Sequence, residues 1–213
     1  MWRSVLLSVV AGTAVMAVEE DPIRLVFQDL RLQVGPALSS AHARLSRDGA
    51  EISEGEVTWD STGRWAVQWL PPIAQAADDG AGMAIIEVHS DRVVSADAPA
   101  TGRLVQRAVL ADLHLGLAWL LWARTTVELS GFGGLGTTWQ EGGSDRGSAW
   151  EVGARLGVTW APVRTGWGSP LVGAAVLTSY GSWQGTVALA DRTYDLDLIM
   201  SGWAPAAVVG WRF

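Results

Sequence analysis

The sequence of 213 residues contains no cysteine, no lysine and no asparagine. Without cysteine, neither a disulfide framework nor a thiolate metal site is possible. All 15 basic residues are arginine, and 22 acidic residues outnumber them, so the formal net charge is −7. This excess of negative charge argues against a phosphate-backbone partner, and we expect no nucleic acid. The acidic segments lack EF-hand spacing, and the sequence predicts no metal ion and no cofactor.

The N-terminus has the pattern of an export signal. A short basic start, Met1–Arg3, precedes an apolar stretch that ends in small residues at Ala17. This stretch is typical of a secretory signal peptide, and it is too short for a membrane-spanning helix of about 20 residues. We therefore divide the chain into a signal peptide, residues 1–17, and one mature domain, residues 18–213.

No later segment has the composition of a membrane-spanning helix. The best candidate, Val109–Trp122, contains Asp112 and His114, which are costly inside a bilayer. Its apolar residues instead occupy every second position, which is the period of a β-strand. The same alternation predicts eight strands, at residues 30–34, 65–69, 84–88, 109–119, 127–139, 150–160, 172–180 and 203–213.

Two all-β folds alternate in this way, and the strand ends distinguish them. A soluble sandwich buries its apolar face, whereas a membrane barrel turns that face to lipid. Strands of about ten residues match the thickness of a bilayer. Tryptophans recur near the ends of the apolar faces, as in an aromatic girdle: Trp119, Trp139, Trp150, Trp160, Trp203 and Trp211. These features favour an antiparallel up-and-down transmembrane β-barrel of about eight strands.

The connections between the predicted strands alternate in length. The longer ones, expected to face the cell exterior, are residues 39–62, 90–102, 140–148 and 181–201. The shorter ones are expected at the periplasmic end. Residues 38–100 show the weakest pattern of the chain.

The C-terminal segment carries a specific motif. Val209, Trp211 and Phe213 alternate with Val208, Gly210 and Arg212, so the chain ends in an aromatic residue preceded by apolar residues at every second position. This ending resembles the last strand of bacterial outer-membrane barrels, and with the signal peptide and eight strands the chain is similar to small barrels of the OmpA, OmpX and OmpW type. The resemblance implies outer-membrane localisation, a lipid environment, recognition by the barrel assembly machinery and a monomer.

The polar faces of the strands predict a charged lumen. Charges inside a filled barrel must pair, because burying them alone is costly. We expect a network of nine residues: Arg31, Arg64, Glu87, Asp112, His114, Glu128, Glu151, Arg155 and Arg212. Asp29 and His89 share the same polar faces and are also expected to point into the lumen. With Trp139 assumed to lie opposite Trp150, Asp112 and Arg155 are predicted to pair across Gly134.

Two motifs in this region suggest other chemistry. Gly131–Gly136 satisfies the dinucleotide pattern G-x-G-x-x-G, but no helix is predicted after it to hold a pyrophosphate. His114, Ser130 and Asp112 form the one neighbourhood that suggests a hydrolase. The predicted register places His114 opposite Phe132, however, and a catalytic base must reach its nucleophile. We therefore expect no catalytic residues.

Several functions remain open from the sequence. The leading interpretation is a barrel with a filled, charge-paired lumen and a structural or surface-interaction role, because eight strands enclose an interior just filled by side chains. The alternatives are a narrow channel for small or hydrophobic solutes, a lipid A-modifying barrel enzyme and a soluble periplasmic β-sandwich that binds a ligand.

Overall fold

The computed structural model describes residues 23–26, 28–37, 40–57, 61–71, 73–76, 80–98, 102–122, 124–163, 165–189 and 192–213. The predicted signal peptide, residues 1–17, lies outside these ranges. Within them all regular structure is β-strand. None of the residues in these ranges belongs to a helix that is long and apolar enough to cross a membrane.

Twelve strands follow one another along the chain. Their bounds are β1 (Ile23–Val26), β2 (Asp29–Gly35), β3 (Ser40–Arg47), β4 (Ala50–Val57), β5 (Ser61–Leu70), β6 (Ile73–Ala76), β7 (Gly80–Ala98), β8 (Gly102–Trp122), β9 (Thr125–Gln140), β10 (Gly147–Trp160), β11 (Ser169–Leu189) and β12 (Arg192–Arg212).

Eight of these strands close into a ring. The order is β2, β5, β7, β8, β9, β10, β11 and β12, and β12 returns to β2 through pairs such as Val209 with Leu32. Every pairing in the ring is antiparallel. Each predicted strand lies in one of these eight, so the up-and-down barrel is confirmed. The sandwich alternative is wrong, because a sandwich has two separate sheets.

The other four strands extend the two ends of the ring. We call the end where β2 begins and β12 ends the terminal end, and the opposite end the distal end. Strands β3 and β4 form a hairpin at the distal end, and β3 pairs with β12 beyond the point where β2 stops. Asp48 and Gly49 connect them, both with positive φ, as a two-residue type I′ turn requires. Strands β1 and β6 pair with each other at the terminal end.

The predicted long connections are mostly paired strand, which corrects the sequence analysis. Strands β8, β11 and β12 each have 21 residues, and residues 181–189 pair with residues 192–200 in the region predicted as a loop. At about 3.3 Å per residue and a tilt near 40°, 21 residues rise about 50 Å, well beyond a hydrocarbon core of about 30 Å. The barrel is therefore taller than the apolar layer of a membrane.

The barrel has opposite polarity in its two parts. In the terminal part, each ring strand turns large apolar side chains outward, with exposed fractions of 42% to 62%; examples are Leu32, Val67, Val88, Leu115, Leu129, Leu156, Val176 and Val209. We call this surface the apolar band. In the distal part the outward residues are largely polar, such as Arg44, Glu54, Arg92 and Asp195.

The interior of the distal part is apolar instead. We call this cluster the distal plug, and its buried members are Ala37, Ala41, Ala43, Leu45, Val57, Val93, Ala108, Leu110, Ala149, Trp183, Val187, Leu196, Leu198 and Met200. Its side chains fill the lumen beyond the end of the charged region. The distal part is thus organised like a water-soluble barrel, and the terminal part like a membrane barrel.

Candidate functional site

The charged lumen lies inside the terminal part. All nine residues of the predicted network point inward, and none is more than 5% exposed. They separate into two groups along the barrel axis. We call Asp29, Arg31, Glu128, Arg155 and Arg212 the terminal cluster, and Arg64, Glu87, His89, Asp91, Asp112, His114 and Glu151 the central cluster.

Arginine side chains that contact two carboxylate oxygens at once connect the members of the terminal cluster. Arg31 donates from Nη1 and Nη2 to the two oxygens of Glu128, at 2.8 and 2.6 Å, and also reaches Asp29 at 2.6 Å. Arg155 Nη1 donates to the same Glu128 at 2.7 Å, and Arg212 binds Asp29 at 3.0 Å. Two-pronged guanidinium–carboxylate contacts of this kind are the strongest ion pairs in proteins.

The central cluster is built around Arg64 and His89. Arg64 donates to Asp91 at 2.8 Å and to Glu151 at 2.9 Å. His89 Nδ1 lies 3.1 Å from Asp91 Oδ1, and its Nε2 lies 3.0 Å from Asp112 Oδ2 and 2.9 Å from Glu151 Oε1.

Two of these ion pairs cross the whole lumen. Arg31 is on β2 and Glu128 on β9, four strands away in a ring of eight, so the pair joins opposite walls. Arg64 on β5 and Glu151 on β10 are also four strands apart. The lumen is therefore bridged at two levels.

Three buried polar residues of this site were absent from all the residues predicted to face the lumen: Gln33, Gln68 and Asp91. Asp91 lay in a segment predicted as an outer connection. Gln33 and Gln68 are uncharged, although they occupy the inward parity of their strands; Gln68 Nε2 donates to Gln33 at 2.9 Å and to Glu87 at 2.6 Å. Parity alone would have identified both glutamines as lumen residues.

The predicted Asp112–Arg155 pair is wrong. Asp112 lies opposite Gly134 as expected, but Gly134 lies opposite Glu151 and not Arg155. The assumed alignment of Trp139 with Trp150 caused the error, because Trp150 pairs with Leu135. The assumed register differs from the observed one by four residues. An even shift leaves each side chain on the same face of the sheet, so Asp112 and Arg155 were correctly predicted to face the lumen, but their partners were not.

The register around His114 agrees with the sequence analysis. His114 pairs with Phe132, and their rings stack with centroids 4.7 Å apart. Ser130 lies opposite Gly116, and its hydroxyl has no hydrogen-bond partner in the described part of the chain. The arrangement therefore places no base on the Ser130 hydroxyl. The Gly131–Gly136 motif lies within β9, where no helix follows it.

Gly134 makes room for Asp112. A Cβ atom at Gly134 would lie 1.6 Å from Asp112 Oδ1, whereas one at Gly133, on the outward face, would meet nothing closer than 3.7 Å. We expect Gly134→Ala to lower the free energy of unfolding by about 1–3 kcal/mol through overpacking. Gly133→Ala is the matched control, with a change within about 0.5 kcal/mol. Urea unfolding in detergent measures both, and equal losses would contradict the assigned faces.

The predicted girdle tryptophans occupy two regions. Trp119, Trp160 and Trp211 lie within four residues of the terminal ends of their strands. Trp150 contacts Tyr180, with ring centroids 5.7 Å apart, and Trp203 faces outward beside them on β12 with 64% exposure. Trp139 is different, because the guanidinium of Arg146 lies 4.4 Å over its ring.

The C-terminal motif lies at the closing seam of the ring. Val209 and Phe213 face outward, with exposed fractions of 50% and 61%. Trp211 pairs with Leu30 of β2, and its Nε1 donates to the Trp167 carbonyl at 3.0 Å. The three residues therefore contribute to the apolar band at the terminal end.

The distal surface carries exposed ion pairs. His42 and Arg44 both contact Glu54, at 2.8 and 3.0 Å, and their hydrogen bonds lower the pKa of that carboxyl. Arg107 and Arg92 likewise lower the pKa of Glu141. These groups lie outside the apolar band and are in contact with solvent, so they contribute little to stability.

Comparisons with known proteins bear on the fold. No model of a known protein family matches the sequence, and no curated protein matches it in sequence. The structure is similar to that of the outer membrane protein OprG from Pseudomonas aeruginosa, with a TM-score of 0.52 and 14% identity over 88% of this chain and 94% of OprG.

Two further solved structures superpose less closely. Neisserial surface protein A gives a TM-score of 0.42 at 14% identity, over 86% of this chain and 97% of that protein. Ail from Yersinia pestis, an attachment invasion locus protein, gives 0.34 at 13% identity, over 88% and 100%. The match to OprG, together with the closed ring, defines the class: this chain has the fold of a small outer-membrane β-barrel.

Proposed function

We propose that the protein is an integral outer-membrane barrel with a filled, charge-paired lumen and a structural or surface-interaction role. The observation that carries this proposal is the pair of ionic bridges across the lumen, Arg31 to Glu128 and Arg64 to Glu151. Both lie between opposite walls. Asp112 and Glu151 both lie opposite Gly134, and the next inward residue of β8 toward the distal end is Leu110, a member of the distal plug. A pore would need an open path at all of these levels.

The proposal places the distal part outside the cell. There it forms a rigid, mixed-charge surface carried on paired strands, which is suited to contacts with other surface molecules. The apolar band faces lipid, and the seam residues Val209, Trp211 and Phe213 act as the recognition segment for the barrel assembly machinery. We propose a monomer, because the ring is closed by its own first and last strands.

Conductance measurements test the filled lumen. We expect the protein, folded in detergent and added to a planar lipid bilayer, to produce no stable current steps, because charged and apolar side chains occupy the lumen. A general porin in the same bilayer is the positive control. Reproducible steps that scale with salt concentration would support the narrow-channel alternative instead. An altered lipid A mass spectrum on expression would favour the enzyme alternative.

Single cysteines test the orientation, because the natural chain has none. Ser144 lies in the exposed turn between β9 and β10 at the distal end, and Gly166 in the exposed turn before β11 at the terminal end. We expect a membrane-impermeant maleimide to label Ser144→Cys on intact cells, and Gly166→Cys only after the outer membrane is permeabilised. Labelling of Gly166→Cys but not Ser144→Cys on intact cells would show that the barrel has the opposite orientation. Equal labelling of both variants on intact cells would contradict membrane insertion.

A further inference from the structure

Some buried polar atoms of the central cluster lack partners. Both carboxylate oxygens of Asp112, both ring nitrogens of His114 and Oε1 of Glu87 have no hydrogen bond within the described chain. The contact of His89 with Asp112 at 3.0 Å does not have the angles of a hydrogen bond. Buried polar groups are nearly always satisfied, so several orphaned atoms in one place indicate a missing ligand.

The three residues that carry these atoms lie close together. Glu87, Asp112 and His114 lie on the adjacent strands β7 and β8, and each offers a ligand atom within 4.8 Å of the others. His114 Nε2 is 3.4 Å from Glu87 Oε2. Ligand atoms around a tetrahedral ion at about 2.0–2.1 Å are separated by about 3.3 Å, which is close to this one distance of 3.4 Å.

The charge balance of the lumen also lacks positive charge. Its buried arginines are four: Arg31, Arg64, Arg155 and Arg212. Its buried carboxylates are six: Asp29, Glu87, Asp91, Asp112, Glu128 and Glu151. Among the described residues, the central cluster holds four of these carboxylates and one arginine, a balance of −3, whereas the terminal cluster holds two carboxylates and three arginines, a balance of +1. The lumen as a whole therefore has two excess negative charges, and the deficit of positive charge lies in the central cluster. One divalent cation there would bring the net charge of the lumen to zero.

The ring of His114 is placed to act as a metal ligand. It is fully buried and stacked on Phe132, and neither ring nitrogen has a hydrogen bond within the described part of the chain. Its Nε2 lies 3.4 Å from Glu87 Oε2, beyond good hydrogen-bond distance. A metal ion between these groups would coordinate a lone pair of the neutral ring.

We propose that Glu87, Asp112 and His114 bind one divalent first-row transition-metal ion inside the barrel, and we take zinc as the representative ion. One imidazole and two carboxylates are a ligand set that such ions accept. Neighbouring residues that do not bind the ion hold the three ligands in place, as is usual around metal sites. Gln68 donates to Glu87 at 2.6 Å, Phe132 holds the ring of His114, and the space left by Gly134 admits the carboxylate of Asp112.

Zinc binding to the folded barrel tests the proposal. The mature chain is refolded in detergent with or without ZnCl₂ and freed of loose ions by gel filtration, and its metal content is measured. We expect one zinc per chain for the natural protein. Asp112→Asn and His114→Gln are each expected to weaken zinc binding at least about tenfold in competition with a chelator.

The chain offers a matched control in His42, whose Nε2 lies 2.8 Å from Glu54 on the exposed surface. His42→Gln should keep the zinc, since its histidine is outside the site. Absence of retained zinc in the natural protein, or loss in His42→Gln alone, would overturn the proposal.

X-ray absorption spectroscopy needs only the natural protein, so it tests the proposal even if a lumen variant does not fold. The zinc K-edge spectrum of the natural protein should show one imidazole and oxygen ligands near 2.0–2.1 Å. Two or more imidazoles, or a fully hydrated ion, would overturn the assignment of Glu87, Asp112 and His114.

Discussion

Replacing Arg31 with alanine is expected to destabilise the barrel by about 1.5–3 kcal/mol, because it removes buried charge-assisted hydrogen bonds to two carboxylates. Arg31 is 2% exposed, and it neutralises Glu128 across the lumen and Asp29 on its own strand. Arg155 still pairs with Glu128 and Arg212 with Asp29, so the expected loss comes from the missing hydrogen bonds of Arg31 and not from an unpaired charge. Urea unfolding in lipid vesicles, followed by tryptophan fluorescence and gel mobility, measures the loss.

An exposed arginine provides the control for this experiment. Arg44 makes ion pairs with Glu51 and Glu54 on the distal hairpin, but its side chain is 52% exposed. Arg44→Ala should therefore change stability by less than about 1 kcal/mol. Comparable effects of Arg31→Ala and Arg44→Ala would show that the lumen pairs are solvated.

Placing arginine at Leu115 is expected to cost about 2–4 kcal/mol in a bilayer, as charged residues do near the midplane on the lipid face of a barrel. Leu115 faces outward with 62% exposure, near the middle of the apolar residues that β8 presents between Val109 and Trp119. Reversible folding into vesicles measures the change in free energy. The cost should be smaller in vesicles of thinner hydrocarbon core, where charge reaches water more easily.

The distal hairpin again provides a control. Ile52 is 54% exposed on β4, outside the apolar band. Arginine at Ile52 should change the folding energy by no more than about 0.5 kcal/mol, because that side chain is in water in both states. If Leu115→Arg and Ile52→Arg change the folding free energy equally little, Leu115 does not face lipid and the assigned apolar band is wrong.

The strands were predictable from the sequence where the polarity pattern is that of a membrane barrel. Along β8, β9 and β10 one parity is continuously apolar, so both the strand and its lipid face follow from a period of two. The inward positions of residues such as Glu128 and Arg155 follow from the same parity. Their partners did not follow, because pairing depends on register across strands that are distant in sequence.

The distal part was missed for a physical reason. Along β12 the inward positions are apolar in both parts, from Leu196 and Leu198 to Val208, whereas the outward positions change from polar, as at Asp195, to apolar, as at Val209. The outward face therefore loses its apolar residues where the barrel leaves the membrane, and the pattern of a lipid-facing strand is interrupted there. The Asp48–Gly49 pair was the available signal, because Asp-Gly between alternating segments favours a tight hairpin.

The sequence by itself determined the eight ring strands, their lipid-facing side and the charged character of the lumen, because each of these depends on local alternation. The tertiary structure alone decided that Arg31 meets Glu128 and Arg64 meets Glu151, that apolar side chains close the distal lumen, and that Glu87, Asp112 and His114 converge. These features depend on ring closure and register, which bring together residues as far apart as Arg31 and Glu128. No local pattern of residues encodes a distance across a closed barrel.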